Sequence, residues 1–224
     1  MTIETGSRAQ PRAPLTRDDV LRAAVLLADE AGVASLSMRK LAQKLGVKAM
    51  SLYHHVANKD EILDGIVDAV FGEIELPASG ADWKTAMRRR AFSAREALLR
   101  HRWATGLMDS RADPGPATLR HHNAVIGNLR EGGFSVAASA HAFSVLDSYI
   151  YGFVLQELTL PFKTPDEFGE VVETIHEQTA AEYPHLTEMT AEFILKPGYT
   201  YGDEFAFGLE LILDGLERIR EAQG

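Results

Sequence analysis

The 224-residue chain contains no cysteine and no long apolar run. The first absence excludes disulfide bonds and cysteine-ligated zinc, and it fits a reducing compartment. No stretch approaches the roughly 18 apolar residues that a membrane-spanning helix needs. Residues 1–14 also lack the apolar core of a signal peptide. We therefore expect a cytoplasmic protein with no membrane partner.

Positive charge is scarce in the whole chain but concentrated at one end. The net charge is −9 at pH 7, which by itself argues against a general nucleic-acid binder. Residues 1–59 nevertheless contain nine Lys or Arg and five Asp or Glu, whereas the remaining residues contain 14 and 27. This asymmetry predicts an N-terminal module that contacts phosphates, followed by an acidic body that does not.

Helical periodicity recurs along the chain and strand-like alternation is absent over any useful length, so we predict an all-α fold. We expect a flexible arm at 1–15, an N-terminal domain of three helices at 16–60 and a helical body at 61–224, with a helix over 58–76 linking the two domains.

Capping residues and helix breakers set the expected helix boundaries. Thr16 or Asp18 caps the first helix, which ends at Gly32, and Asn58 caps the helix that runs towards Pro77. Further helices are predicted over residues 83–102, 117–130, 135–158, 166–183 and 201–220. Pro184 is expected to close the acidic helix over 166–183.

Residues 35–59 have the pattern of two short helices joined by a tight turn. The Ser37 hydroxyl can cap the first of them, and Leu41 and Leu45 lie four residues apart on its apolar face. Gly46 can adopt a positive φ and end that helix, so a second helix is expected to begin near Lys48. This is the arrangement of a helix-turn-helix, whose second helix enters the major groove of DNA.

The side chains of the second helix have the chemistry for reading DNA. The Ser51 and Tyr53 hydroxyls can bind phosphate oxygens, and Ala49 or Met50 can touch a thymine methyl group. Lys48, together with Arg39 from the first helix, can reach phosphates or guanine acceptors. His55 points about 100° away from His54 on a helix and is expected to pack instead. The alternative is a helical hairpin whose basic face is only solvated.

The residues of this motif, taken in order, resemble the tetracycline-repressor (TetR) family of transcriptional regulators. The matching segments are Ala-Gly-Val at 31–33, Leu-Ser-Met-Arg-Lys-Leu-Ala-Gln-Lys-Leu-Gly-Val at 36–47, and Ser-Leu-Tyr-His-His-Val-Ala-Asn-Lys at 51–59. Segments 98–102, 132–135 and 207–217 are similar to the tetracycline-repressor branch itself. The resemblance implies base contacts from Arg39, Lys48, Ala49 and His54, and phosphate contacts from Ser37, Tyr53 and Lys59.

The resemblance implies that residues 16–60 form a helix-turn-helix DNA-binding domain and that residues 61–224 form a helical effector-binding and dimerisation domain. It also implies a homodimer bound to double-stranded operator DNA. In the last helix, Gly208 and Gly215 lie seven residues apart, which would let a partner backbone approach closely. With part of helix 135–158, this face could form the implied four-helix interface. The predicted interface residues are Phe205, Gly208, Leu209, Ile212, Gly215 and Leu216. The alternative is that the face covers the chain's own core.

Family members of this type sense a small molecule inside the helical body, and this chain offers a candidate set of aromatic and polar residues. The set comprises Trp103, Met108, Phe143, Asp147, Tyr149, Tyr151, Phe153 and Gln156. Each of these residues could equally be ordinary core.

The chain departs from the tetracycline repressors at the ligands of the magnesium-tetracycline chelate. At the matching positions it has Ile74 and Glu75, then Met108, then Gln156. Because methionine is a poor ligand for a hard cation, tetracycline sensing is not expected. His101, His121 and His122 could suggest a metal site, but adjacent histidines on a helix diverge, so we predict no metal and no cofactor.

An enzyme is the rival class, and a helical protein–protein adaptor is a second rival. His141, Ser144 and Asp147 share one helix, but the chain has no nucleophile elbow, phosphate loop or metal motif, so we predict no catalytic residue. We expect a repressor that binds its operator when empty and leaves it when an effector fills the body, with the helix after Asn58 as the lever.

Overall fold

The computed structural model describes residues 14–78, 80–108, 110–161, 165–179 and 182–222. Their regular structure is entirely helical, which confirms the all-α prediction. The chain divides into two compact units, residues 1–66 and 67–224. The predicted arm lies outside the described residues, apart from residues 14 and 15.

The first unit contains three helices and most of a fourth. They are α1 (Arg17–Ala31), α2 (Met38–Leu45), α3 (Ala49–Leu52) and α4 (Lys59–Glu73), with a 3₁₀ turn at Val33–Ser35. Its core consists of small and branched side chains from all four helices, and α4 continues into the second unit. The fully buried members include Val20, Ala24, Leu41, Leu52 and Ile66.

Side-chain caps fix where the helices of this unit begin. The Thr16 hydroxyl accepts a hydrogen bond from the backbone N–H of Asp19 at 3.1 Å, and the Asp19 carboxylate accepts one from Thr16 N–H at 2.9 Å. Asn58 Oδ1 accepts from Glu61 N–H at 2.9 Å and so caps α4. Both caps confirm the expected boundaries.

The second unit is a helical body. Its helices are α5 (Trp83–Arg100), α6 (Pro116–Glu131), α7 (Val136–Thr159), α8 (Pro165–Thr179), α9 (Pro184–Met189) and α10 (Glu204–Glu221). A π-helical turn, Thr190–Ile194, follows α9, and a 3₁₀ turn, Tyr201–Asp203, precedes α10. The core lies between α5, α7 and α10, with α4 and α6 closing it.

The region around Pro184 differs from the sequence prediction. The acidic helix ends at Thr179, and Pro184 begins α9 instead of closing the preceding helix. Proline is well accommodated at the first position of a helix, because its missing N–H would have no partner there. The prediction for this segment was therefore wrong, because Pro184 was interpreted as the end of one helix and not as the first residue of the next.

Within the described part of the chain, none of the helices is long and apolar enough to cross a membrane.

Candidate DNA interface and effector site

The turn between α2 and α3 has the predicted geometry. Ser37 Oγ accepts from Lys40 N–H at 3.3 Å, which caps α2. Gly46 has φ 67° and ψ 34°, a left-handed conformation that strains other residues. The N–H groups of Gly46 and Val47 donate back to the carbonyls of Gln43 (3.2 Å) and Ala42 (3.0 Å). The cap and the turn glycine are thus confirmed.

Helix α3 is shorter than the sequence predicts. It consists of four residues, Ala49–Leu52, whereas Lys48 precedes it with an extended backbone and residues 53–55 form a turn. Leu52 and Val56 are buried and anchor the segment to the core of the unit. Tyr53 and His54 therefore project from the turn that follows the helix, where the N–H groups of His55 and Val56 both donate to the Leu52 carbonyl, at 2.9 and 3.0 Å.

The structure places most of the predicted DNA-contacting side chains in solvent. Arg39, Lys48, Tyr53, His54 and Lys59 are exposed, and Ser37, Ala49 and Ser51 are partly buried. Met50 is 73% exposed, which is unusual for a large apolar side chain and makes it available to a thymine methyl group.

The cations of the first unit fall into two classes. Some are paired within the unit: Arg17 contacts Glu61 at 3.3 Å, Lys44 contacts Glu30 at 2.7 Å, and Arg22 pairs with Asp19. A second group is exposed and has no ion-pair partner among the described residues: Arg39, Lys40, Lys48 and Lys59. Lys40 was not singled out by the sequence analysis, although it follows Arg39. Among the described residues of this unit, these four cations are free to neutralise phosphates.

The eight residues predicted for an effector pocket do not share one surface. Phe143, Asp147 and Tyr151 recur every four residues along α7 and therefore lie on one face of it. Tyr149 and Phe153 lie on another face and pack against α10, with ring centroids 5.5 and 5.1 Å from that of Phe205.

The other three residues of the predicted pocket, Gln156, Trp103 and Met108, also lie in different surroundings. Gln156 is exposed and accepts a hydrogen bond from the Tyr201 hydroxyl at 2.8 Å. Trp103 is partly buried and Met108 is buried in the turns that follow α5. Only Trp103, Met108, Phe143, Asp147 and Tyr151 remain candidates for a pocket, because Tyr149, Phe153 and Gln156 are engaged with residues 201–205.

A buried polar cluster on α5, α6 and α7 is the main feature that the sequence analysis missed. Arg90, His121 and Asp147 are 1%, 0% and 7% exposed, and we call them the Arg90 cluster. The Arg90 guanidinium forms an ion pair with Asp147, and its Nε donates to His121 Nε2 at 3.1 Å. The signal in the sequence was Arg90 itself, a charged residue three positions after Met87 on the apolar face of α5.

The His121 side chain is uncharged at neutral pH. Burial, followed by the charges of Arg90 and His122, lowers the pKa of His121 from 6.5 to about 3. Since Nε2 accepts a hydrogen bond from Arg90, we assign the single ring proton to Nδ1.

We expect the stability of the protein to fall as the pH drops from 7 to 5. The unfolded chain binds a proton at His121 below pH 6.5, whereas the folded chain binds it only near pH 3. The free energy of unfolding should therefore decrease by about 2 kcal/mol more in the parent protein than in H121Q. Urea unfolding of both proteins at the two pH values measures this difference. An equal decrease would contradict the assignment, since the other titrating groups are common to both.

A small cleft opens beside the Arg90 cluster. It lies between the segment after α4 and the first half of α5, and its lining includes Leu76, Pro77, Ala86 and Arg90. An ion pair between Arg89 and Glu75, both lining residues, measures 2.8 Å. Of the three cluster residues, Arg90 lines this cleft, whereas His121 and Asp147 do not.

The histidines considered for a metal site have other contacts. His101 Nε2 lies 3.0 Å from Glu73 Oε1, and the rings of His121 and His122 are 6.0 Å apart and nearly perpendicular. No group of three or more metal-ligating side chains occurs in the ranges that the structure describes. Of the positions that match the tetracycline-chelate ligands, Ile74 and Met108 are buried apolar residues.

The predicted dimer face of α10 is corrected by the structure. Phe205, Leu209 and Leu216 are buried in the chain's own core, and Ile212 packs against it. Gly208 leaves room for the Tyr149 hydroxyl, with which a Cβ atom at this position would clash. These residues therefore cover the monomer core, as the alternative interpretation held, because α10 packs against α7 and α5 on this side. Gly215 is the exception, since a Cβ atom there would meet only the Arg218 side chain, at 3.9 Å.

A different apolar surface is exposed on the same two helices. On α10, Phe207 and Leu211 are 66% and 58% exposed. On α7, Val145 and Leu155 are exposed on either side of Gly152, and a Cβ atom at Gly152 would meet nothing within 4 Å. We call these residues the 207/211 surface. Exposed apolar residues at such spacing are typical of a helix that packs against another chain.

Comparison with known proteins gives a consistent assignment. Residues 20–66 match the model of bacterial regulatory proteins of the tetR family, and residues 76–220 match the tetracyclin repressor-like C-terminal domain. The chain is 40% identical over 167 residues to an HTH-type transcriptional regulator of Saccharopolyspora erythraea, covering 74% of this chain and 69% of that protein.

Two further proteins resemble almost the whole chain. Tetracycline repressor protein class D of Escherichia coli is 31% identical over 213 residues, which cover 92% of this chain and 90% of that protein. The Streptomyces coelicolor TetR family protein ActR, solved in complex with actinorhodin, is 28% identical with a TM-score of 0.77. That match covers 93% of this chain and 99% of the ActR chain. The chain therefore belongs to the TetR family and is a helix-turn-helix transcriptional regulator.

Proposed function

We propose that the protein is a repressor that binds an operator as a homodimer and releases it when a small-molecule effector enters the helical body. The observation that carries the DNA-binding part is the set of four exposed, unpaired cations around a glycine turn of helix-turn-helix geometry. The effector part is supported by the similarity to ActR, which was solved with actinorhodin. We place this function in the cytoplasm.

We propose separate roles for the residues at the DNA interface. Arg39, Lys48, Ala49 and His54 contact bases, and Ser37, Ser51, Tyr53 and Lys59 contact phosphates. Lys40 joins the phosphate-binding group, since its side chain is exposed beside Arg39. This division supports both affinity, which comes from phosphate neutralisation, and sequence selectivity, which comes from base edges.

The 207/211 surface is the proposed dimer interface. A single helix-turn-helix makes too few contacts for tight binding, so two copies on adjacent half-sites are expected. Gly152 on α7 and Gly215 on α10 would let the partner's helices approach closely, because a Cβ atom at either position would meet no backbone or core atom. A symmetric pairing of α7 and α10 would produce a four-helix interface.

A hydrogen-bonded contact supports a route from the effector site to α4. Asp68 on α4 accepts from the backbone N–H of Thr118 at 2.7 Å and from its hydroxyl at 2.9 Å. Thr118 lies one helical turn before His121 on α6. We propose that an effector beside His121 shifts α6, and that Asp68 passes the shift to α4. For release to occur, the effector must bind more tightly to the conformation that does not bind DNA.

A catalytic role is not proposed, because the residues of the enzyme hypothesis do not form a site. His141 and Ser144 are exposed, whereas Asp147 is buried and paired with Arg90. The family is one of transcriptional regulators, which agrees with this view.

Operator binding can be tested by selecting DNA from a random library and measuring affinity for the selected site by fluorescence anisotropy. We expect K48A and Y53A each to weaken binding by about tenfold, because each removes a contact at the reader segment. Replacing the proposed phosphate contact Lys59 by alanine should reduce the dependence of log Kd on log salt concentration by about one. R22A is the matched control, since Arg22 is an exposed cation of the same unit that is already paired with Asp19.

Unchanged binding of K48A and Y53A to every selected DNA would contradict the proposed reader and would favour the protein–protein adaptor. An equal loss in R22A would show that affinity depends only on net charge.

A further inference from the structure

Met50 is the most exposed of the methionines that the structure describes. Its side chain is 73% exposed, and Met189 follows at 49%. Met38 is partly buried, whereas Met87 and Met108 belong to the core of the helical body. An oxidant reacts with a thioether only where it can reach the sulfur, so oxidation of the folded protein should begin at Met50 and Met189.

The position of Met50 would make such a reaction matter for DNA binding. Met50 is the second residue of α3, the segment proposed to enter the major groove. Its side chain lies in solvent, while Leu52 and Val56 anchor the segment to the core of the unit. A change in the polarity of Met50 should therefore act on operator binding and leave the fold intact.

Two further features favour a reversible oxidation at this residue. The chain contains no cysteine, so methionine is the sulfur-containing residue with which it can respond to a peroxide. Lys48, two positions before Met50, is exposed and has no ion-pair partner among the described residues. Its positive charge raises the local concentration of anionic oxidants such as hypochlorite.

We propose that Met50 is a reversible oxidation site through which peroxides lower the affinity for the operator. This inference rests on the proposed function, because it adds a regulation to the same DNA interface. The Met50 sulfur attacks one oxygen of hydrogen peroxide, the O–O bond breaks and an S–O bond forms. The sulfur loses two electrons, and the other peroxide oxygen leaves as water with both hydrogens. Methionine sulfoxide reductases, supplied with a dithiol, return the sulfoxide to the thioether.

The sulfoxide is expected to weaken the interface because it converts an apolar side chain into a polar one. Against a thymine methyl group, the sulfoxide oxygen would lose its water without gaining a hydrogen-bond donor. This oxygen also carries partial negative charge and would lie close to the phosphates. We expect the Kd for the operator to rise about tenfold.

The modification can be mapped by treating the full-length protein with hydrogen peroxide and analysing its tryptic peptides by mass spectrometry. Residues 49–59 form one such peptide, and Met50 is its only methionine. This peptide should gain one oxygen, about 16 Da, before the peptides of Met87 and Met108 do. Fluorescence anisotropy of the treated protein should show the tenfold rise in Kd, and methionine sulfoxide reductases A and B with dithiothreitol should reverse it.

M50L and M189L are the matched pair of variants. Each replaces an exposed thioether by an apolar side chain of similar volume that takes up no oxygen. The quantity compared is the ratio of Kd after and before treatment, so any change in the basal affinity of M50L cancels. We expect a ratio near one for M50L and about ten for M189L and the parent, with the helix content unchanged by circular dichroism.

The inference would be overturned by a ratio in M50L as large as in the parent, or by a loss of helix content on treatment. An unchanged Kd in parent protein whose 49–59 peptide is fully oxidised would overturn it as well. Failure of the proposed function is a separate result. Absence of any selected operator rejects the repressor itself, whereas a selected operator whose binding survives oxidation of Met50 rejects only the regulation.

Discussion

Replacing Phe207 and Leu211 together by glutamate is expected to make the protein monomeric and to weaken operator binding by about 100-fold or more. Both side chains are more than half exposed on α10 and contribute nothing to the chain's own core. Burying four glutamates in a symmetric interface would place like charges together in a desolvated contact, which strongly disfavours association. Light scattering coupled to gel filtration measures the mass, and fluorescence anisotropy measures the affinity.

The matched control for this experiment is L119E. Leu119 is a 55% exposed leucine on α6, outside the 207/211 surface, and its replacement also adds a negative charge to the helical body. We expect L119E to remain dimeric and to keep its operator affinity within about twofold, because surface substitutions have small effects. A dimer that survives the double substitution would show that the partner contacts another face.

The second large effect is expected at the Arg90 cluster. The R90M variant should lose about 3 to 5 kcal/mol in its free energy of unfolding, because Asp147 remains buried without its partner. Removing both charges in R90M/D147L should recover most of this loss, since no unpaired charge is then left in the core. Urea unfolding of the parent, both single variants and the double variant forms a complete thermodynamic cycle.

An exposed ion pair on the same helix serves as the control. Arg89 contacts Glu75 at 2.8 Å, but its side chain is 67% exposed, so R89M should cost less than about 1 kcal/mol. If R90M were no more destabilising than R89M, or if the double variant were less stable than both single variants, the Arg90–Asp147 pair would not be the buried contact that the structure describes.

The DNA-binding unit was largely predictable because its signals are local. A cap joins residues three positions apart, as Ser37 with Lys40 and Asn58 with Glu61, and a turn glycine acts on its own φ angle. Such contacts form within one helical turn, so they can be predicted from short stretches of sequence. The length of α3 was not predicted, since its end at Leu52 comes from the anchoring of Leu52 and Val56 in the core of the unit.

The Arg90 cluster was only partly predictable because its contacts join distant residues. Asp147 was singled out, His121 was considered only as a metal ligand, and Arg90 was overlooked. Their contacts span 31 and 57 positions in the chain, so no periodicity within a single helix reveals them. The apolar residues around Arg90 indicated a buried face, but they could not indicate which carboxylate would pair with it.

By itself, the sequence determined the helical fold, the glycine turn and the family, because capping, helical periodicity and a contiguous motif act over a few residues. Tertiary structure decided which face of each helix is covered. On α10 it buried Phe205 and Leu209 and left Phe207 and Leu211 exposed, and on α7 it directed Asp147 to Arg90. Both helices carry apolar residues on several faces. Only the packing against neighbouring helices therefore determines whether a given face is buried in the core, contacts a partner chain or contacts a ligand.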